Sequence, residues 1–185
     1  PNYPAIALSS TPLYATTPID KPSLALALSV EYPTVGTQYP STTNGATNDA
    51  SYSNTNEYLG YYDAESCYTY NDSPTETPDG GLSTADYKRF DRSGAASNRK
   101  CINAFSGNFL NWASNSAIDM LRLALSGGDR YIDQDGLTIL QRAMLPNGNP
   151  NCFWNSSNFP SRQLTKDGGG AGTYWGAVPT AMITA

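Results

Sequence analysis

Asn108-Phe-Leu-Asn-Trp-Ala-Ser-Asn-Ser-Ala-Ile-Asp-Met-Leu-Arg-Leu-Ala-Leu-Ser-Gly-Gly128 is the one long segment of this chain with helical periodicity. Placed at about 100° per residue, it puts Asn111, Asn115, Asp119, Arg122 and Ser126 in one narrow polar stripe. Phe109, Trp112, Ala113, Ala117, Met120, Leu121, Ala124 and Leu125 cover much of the remainder. So wide an apolar face needs cover on several sides, as when a helix packs on a sheet. The spacing predicts one long core helix, with Phe109, Trp112, Ala113, Ala117, Met120 and Leu121 facing inward. Asp119 and Arg122 stand three apart and can pair across the polar stripe. Gly127-Gly128 is the stop, because glycine takes the left-handed conformation that ends a helix.

Outward from this helix, the chain is rich in Ser, Thr, Asn, Gly, Pro and Tyr. Charged residues are 15 % of its 185 residues and hydrophobic residues 39 %. Its polarity is therefore carried by neutral side chains, a balance that suits an exported, loop-rich protein better than a cytosolic enzyme. The length fits one domain. A net charge of −5 and a pI near 4.5 leave no basic stripe for phosphates and argue against a nucleic-acid partner. No run of apolar residues is long enough to span a membrane. Pro1 opens the sequence with neither methionine nor a signal segment, which reads as a mature or excised form. There is no histidine. That removes the commonest general base, the Ser-His and Cys-His dyads and the usual zinc ligands. The expectation is a protein without catalytic residues and without a cofactor.

Residues 1–20 read as an extended arm broken by Pro4, Pro12 and Pro18, with an edge strand at Ala5–Leu8. Residues 21–185 form the remainder of an α/β unit that reads as partial and continuing beyond the chain. Leu24-Ala-Leu-Ala-Leu28 is expected as a buried strand, with a helical turn as the alternative. Tyr58–Asp63 and Cys67–Tyr70 are expected to pair as short strands, and Tyr87–Phe90 to form another before a turn at 94–98. Asp135 is expected to cap a short second helix over Leu137–Leu145, closed by Pro146. Gly168-Gly-Gly-Ala-Gly172 reads as a hinge. In an oxidising compartment Cys67 and Cys101 should form a disulfide around the loop-rich 68–100 segment; pairing of either with Cys152 is the alternative.

Several of these segments, in this order, resemble the N-terminal region of the type IV pilus tip-adhesin family, the PilC/PilY-type pilus assembly proteins. They are Leu8-Ser-Ser-Thr-Pro-Leu-Tyr14, Lys21-Pro-Ser-Leu-Ala-Leu-Ala-Leu28, Gly60-Tyr-Tyr-Asp63 with Cys67-Tyr68, and the most specific block, Phe105-Ser-Gly-Asn-Phe-Leu-Asn-Trp-Ala113. Ala117-Ile-Asp119, Leu125-Ser-Gly-Gly128, Leu137–Pro146 and Asn158-Phe-Pro160 fit the same pattern. The resemblance implies a von Willebrand factor A-like α/β fold on the bacterial surface, at the tip of a pilus. It implies minor pilins, a C-terminal β-propeller of the same protein, and a host cell or surface ligand as partners. Members often carry an Asp-x-Ser-x-Ser metal motif after the first buried strand. Here that position reads Ser29-Val-Glu-Tyr-Pro33: Ser29, Glu31 and Pro33 replace the carboxylate and both hydroxyls. The resemblance therefore implies a degenerate site that holds no metal.

Asp91-Arg-Ser-Gly-Ala95 matches the metal motif except for its last serine, but Tyr87–Phe90 before it is no buried apolar strand, so a solvated turn is expected. Asp129, Asp133 and Asp135 lack the ligand spacing of a calcium loop, and a helix N-terminus favouring negative charge is expected instead. Three functions compete: a non-enzymatic pilus-tip adhesion or assembly module, a structural subunit of an extracellular filament or surface layer, and a carbohydrate-binding protein using Trp112, Trp154, Trp175 and tyrosines.

Overall fold

The stretch 108–128 folds as two helices, not one. The computed structural model describes residues 34–39, 48–76, 87–144, 161–168 and 173–183, with Ala25, Ala27 and Val30. Helix α1 runs over Gly107–Ser114 and α2 over Ala117–Ser126. Between them Asn115 (φ −72°, ψ 139°) and Ser116 (φ −113°, ψ 164°) are extended. The break has a local cause. The Ser116 hydroxyl accepts the Asp119 N–H at 3.3 Å and donates to Asp119 Oδ2 at 2.5 Å. That side-chain cap starts a new helix and competes with continuation of the backbone ladder. Helix α1 is capped likewise by Ser106, whose hydroxyl accepts the Phe109 N–H. Helix α2 stops at the glycines: Gly127 is left-handed (φ 80°), and Gly127 and Gly128 donate to Leu123 O and Arg122 O.

The described strands form three small sheets. Strand β1 (Asn48–Asp49) pairs in parallel with β7 (Ser161–Arg162), while β2 (Ser66–Asn71) lies between β3 (Arg89–Ala95) and β4 (Phe105–Ser106), antiparallel to both. Strands β5 (Arg130–Gln134) and β6 (Leu137–Leu140) form an antiparallel hairpin. Three expectations are corrected here. Tyr58–Asp63 is not a strand, and β2 takes β3 and β4 as partners instead. The Asp91–Ala95 segment is strand, not turn, because register with β2 places Phe90 opposite Tyr70, and this pairing overrides its polar composition. The helix expected over Leu137–Leu145 is absent: Asp135-Gly136 makes the hairpin turn, with Gly136 at φ 76°, and Ile132 pairs with Ile139.

Burial is divided among small clusters. The largest joins Tyr52, Tyr58, Trp112 and Ala177, with Phe109, Ala113 and Trp175 packed around them. A second joins Val35, Ile118 and Ala143, and a third Tyr87, Ile132 and Ile139. Of the expected inward residues, Trp112 is sealed, while Phe109, Ala113 and Met120 are half-buried. Ala117 and Leu121 are exposed, a correction with the same origin as the break: a new helix axis begins at Ala117, so the phase of the apolar face is not carried across. Ala25 and Ala27 are exposed and belong to no regular element. The rest of the expected Leu24–Leu28 strand, the 1–20 arm with its Ala5–Leu8 strand, and Cys152 lie outside the described residues.

Candidate functional site

The most specific family-like block, 105–113, is packed against a second family-like segment, Gly60–Asp63. Asn108, Asn111 and Asn115 of the α1 region are buried, and their side chains hold the loop 56–62. Asn108 Oδ1 accepts the Tyr58 N–H at 2.7 Å, and its Nδ2 donates to Asn56 O at 2.9 Å. Asn111 Oδ1 accepts the Tyr62 N–H at 3.0 Å, while its Nδ2 donates to Tyr58 O and Tyr62 O at 2.8 and 2.7 Å. Asn115 Nδ2 reaches Leu59 O at 3.5 Å. A loop without strand pairing has backbone groups that need partners, and these amides supply them from a helix. Gly60 is required where it stands: a Cβ there would lie 2.3 Å from Asn111 Oδ1. A Cβ at Gly107 would lie 2.1 Å from Asp63 O. The Gly-Tyr-Tyr-Asp segment and the Gly-Asn-Phe-Leu-Asn-Trp block are thus two halves of one interlock.

Asp119 extends this polar set to a third segment. It is fully buried, and its Oδ1 accepts the Ala143 N–H at 2.8 Å. The expected Asp119–Arg122 pair does not form, because Arg122 turns to Asp129 at 2.7 Å. Tyr61 lies beside Asp119, and burial first, with that carboxylate's charge, pushes its phenol up to about 12. Tyr62 is also pushed up to about 12, chiefly by burial. Both rings are neutral hydrogen-bonding and packing groups. Asp63 is held below the usual carboxylate range by the Ser66 hydroxyl and the Glu65 N–H, with Arg92 adding its charge.

Cys67 and Cys101 are joined by a disulfide, with Cα atoms 5.8 Å apart. It ties β2 to the loop that leads into β4 and α1. The turn beside it is left-handed at Asn98 (φ 51°) and Arg99 (φ 59°), and Asn103 follows at φ 55°. An open groove of about 1040 Å³ runs here between Asn54, Arg99, Ile102 and Thr173. Its cations are neutralised: Arg99 contacts Glu57 and Glu65, and Lys100 contacts Asp167. A second groove of about 540 Å³ separates β3 from β6 and is lined by Tyr61, Tyr62, Tyr68 and Tyr70.

The other candidates disperse. Asp91 is held by Arg89 at 2.6 Å and by Asn71 at 2.9 Å. Asp133 is held by Arg130 at 2.8 Å and Thr138 at 3.2 Å, within the β5–β6 hairpin and not at a helix N-terminus. Among the described residues no three His, Cys, Asp or Glu side chains converge as metal ligands. Ser29, Glu31 and Pro33 lie outside the described residues, as does Trp154. Trp112 has no exposed face for a ligand, and the Arg162 guanidinium sits 4.5 Å from its ring centre. That arginine pairs with the fully buried Asp49 across the β1–β7 bridge. The sequence marks Gly60 as part of a family-like segment and Asn111 and Asn115 as a polar stripe, but not the amide ladder that joins them. The spacing of Asn108, Asn111 and Asn115, and the Ser116-x-x-Asp119 capping pattern, were the signals available.

Buried amides, a disulfide and carboxylates engaged by basic or hydroxyl partners define a small stapled α/β module. The family described as "PilY1 homolog, small alpha/beta domain" matches residues 49–166, and the chain belongs to that family. The chain is 32 % identical over 162 residues to a type IV pilus biogenesis factor PilY1 homolog of Xylella fastidiosa (strain Temecula1), covering 86 % of this chain and 12 % of that protein. A second protein of the same description from that organism is 34 % identical over 89 residues, covering 48 % of this chain and 5 % of its own length. The chain thus spans a small part of the length of these relatives. No solved structure matches it. No described helix is long and apolar enough to cross a membrane.

Proposed function

We propose that this chain is a non-catalytic module of a type IV pilus biogenesis protein, exported to the bacterial surface and working in pilus assembly and adhesion at the pilus tip. The observation that carries this reading is the family match across residues 49–166. The interlock of Gly60–Asp63 with the 105–113 block supports it, since the family-like residues hold the scaffold instead of lining a catalytic cleft. The absence of histidine points the same way. On this reading the module belongs to a larger von Willebrand factor A-like protein. Its partners are minor pilins, the remaining domains of the same protein, and a host cell or surface ligand, and it uses no metal or cofactor of its own. The test is an in-frame deletion of residues 49–166 within the full-length gene, with pilus number and surface attachment as readouts. Loss of either supports the proposal; wild-type pili and attachment in that strain overturn it.

A carbohydrate-binding role has one observation in its favour, the tyrosine-lined groove between β3 and β6. Glycan-array binding that disappears in Tyr70→Ala would establish it, and a blank array would remove it.

A further inference from the structure

Residues 173–183 lie beyond the family match and attach to the domain in an unusual way. Tyr174 (φ 52°), Trp175 (φ 61°) and Gly176 (φ 58°) are three successive left-handed residues. Only the glycine takes that conformation without steric cost; the two aromatic residues hold it against their own Cβ atoms. The Trp175 indole Nε1 is buried without an acceptor among the described residues, a second unfavourable feature of the closed arrangement. Hydrogen bonds and the packing of Trp175 on the Tyr52–Tyr58–Trp112 cluster offset these. Gly176 O accepts the Cys101 N–H at 2.8 Å, and Ala177 O accepts the Ser106 N–H at 2.9 Å. Ala177 is fully buried on Tyr52, Tyr58 and Trp112. Asp167 gathers the segment's start, accepting from Lys100 Nζ and Thr173 Oγ1, each at 3.1 Å. Val178 packs on the same cluster, and farther along Met182 is 61 % exposed. The segment pairs with no described strand.

We propose that residues 173–183 are a releasable strap, which detaches as a unit from an otherwise intact domain and so controls access to the Tyr52–Tyr58–Trp112 surface and to the Cys101 end of the disulfide. Release frees Tyr174 and Trp175 from the left-handed region and returns the indole N–H to water. It leaves the amide ladder in place, because Asn108 and Asn111 bond to the 56–62 loop and not to the strap, while α1 gives up the Ser106 N–H bond and the Ala177 contact on Trp112. Gly176 is the point where closure is most sensitive: a Cβ there would be strained by its φ and would lie 2.7 Å from Lys100 Cβ.

Native-state hydrogen exchange on the full chain tests this. The Cys101 and Ser106 amides, which donate to the strap, should exchange at one shared rate, at least about tenfold faster than the Asn115 amide bonded to Asn111 O within α1. In Gly176→Ala both strap-bonded amides should exchange about tenfold faster again, as should disulfide reduction by a water-soluble phosphine, with the Asn115 rate unchanged. One common rate for all three amides in the wild-type protein would overturn the proposal, since the strap would then open only with global unfolding. So would a Gly176→Ala variant in which Asn115 exchange rises in step with the others. The wild-type comparison decides even if the variant does not fold.

Discussion

Helices α1 and α2 are neighbours in sequence and opposites in how they meet the protein. Helix α1 buries amides: Asn108 and Asn111 are fully covered, together with Trp112. Helix α2 exposes hydrocarbon: Leu121 is 41 % and Leu125 54 % exposed, and Ala117 and Ala124 are exposed with them. Of α2 only Ile118 and Asp119 are buried. Hydropathy alone would have assigned the faces the other way. The comparison shows that what a helix buries is set by what its neighbour lacks. The 56–62 loop lacks hydrogen-bond partners, so the helix beside it turns amides inward.

Three substitutions would break or sharpen that contrast. Asn111→Leu has the largest expected effect, because it strands the Tyr62 N–H and the carbonyls of Tyr58 and Tyr62 in a buried site. It should destabilise by about 3–5 kcal/mol in urea unfolding, although leucine is the more hydrophobic residue. A loss under about 1 kcal/mol would mean that water replaces the amide and that the ladder is incidental. Ser116→Ala comes next. It removes the cap that starts α2 and the hydroxyl bonded to Asp119, and should cost about 1–2 kcal/mol by the same measurement. If instead it stabilised the protein and the circular dichroism showed more helix, the break at 115–116 would be a product of that one hydroxyl. Leu121→Lys should have the smallest effect, within about 0.5 kcal/mol of the wild type. A large destabilisation there would mean the exposed face of α2 is covered in solution, and sedimentation would show whether by a second copy.

Parts of this were legible and parts were not, for identifiable reasons. The stop at Gly127-Gly128 was legible because a left-handed cap is a property of glycine itself. Strand β2 was legible in Cys67–Tyr70 because tyrosine and threonine favour a pleated surface wherever they fall. The break at Ser116 was written in the Ser116-x-x-Asp119 pattern, but a helix-period count across the whole stretch hides it. The β5–β6 hairpin was written in Asp135-Gly136 between apolar residues. An aspartate before an apolar run is also a helix start, and only the partner strand Arg130–Gln134 separates the two. Strand β3 was least legible: Arg89–Ala95 has little strand character of its own, and pairing with β2 supplies it.

The sequence by itself determined the features that depend on one residue or a few adjacent ones: the absence of histidine, the helix-ending glycines, the tyrosine-rich strand, and the motifs that marked the family. Only the tertiary structure decided which groups those motifs serve. Gly60 and Asn111 stand far apart in sequence, yet they meet, because the glycine's missing Cβ is the space in which the asparagine amide sits. Likewise the buried place of Asp119 is set by the Ala143 N–H, a donor that no local pattern announces. A glycine cap or a side-chain helix cap is a short-range property and can be read along the chain. Satisfaction of buried polar groups is a long-range one, and it exists only once the distant partners have been brought together.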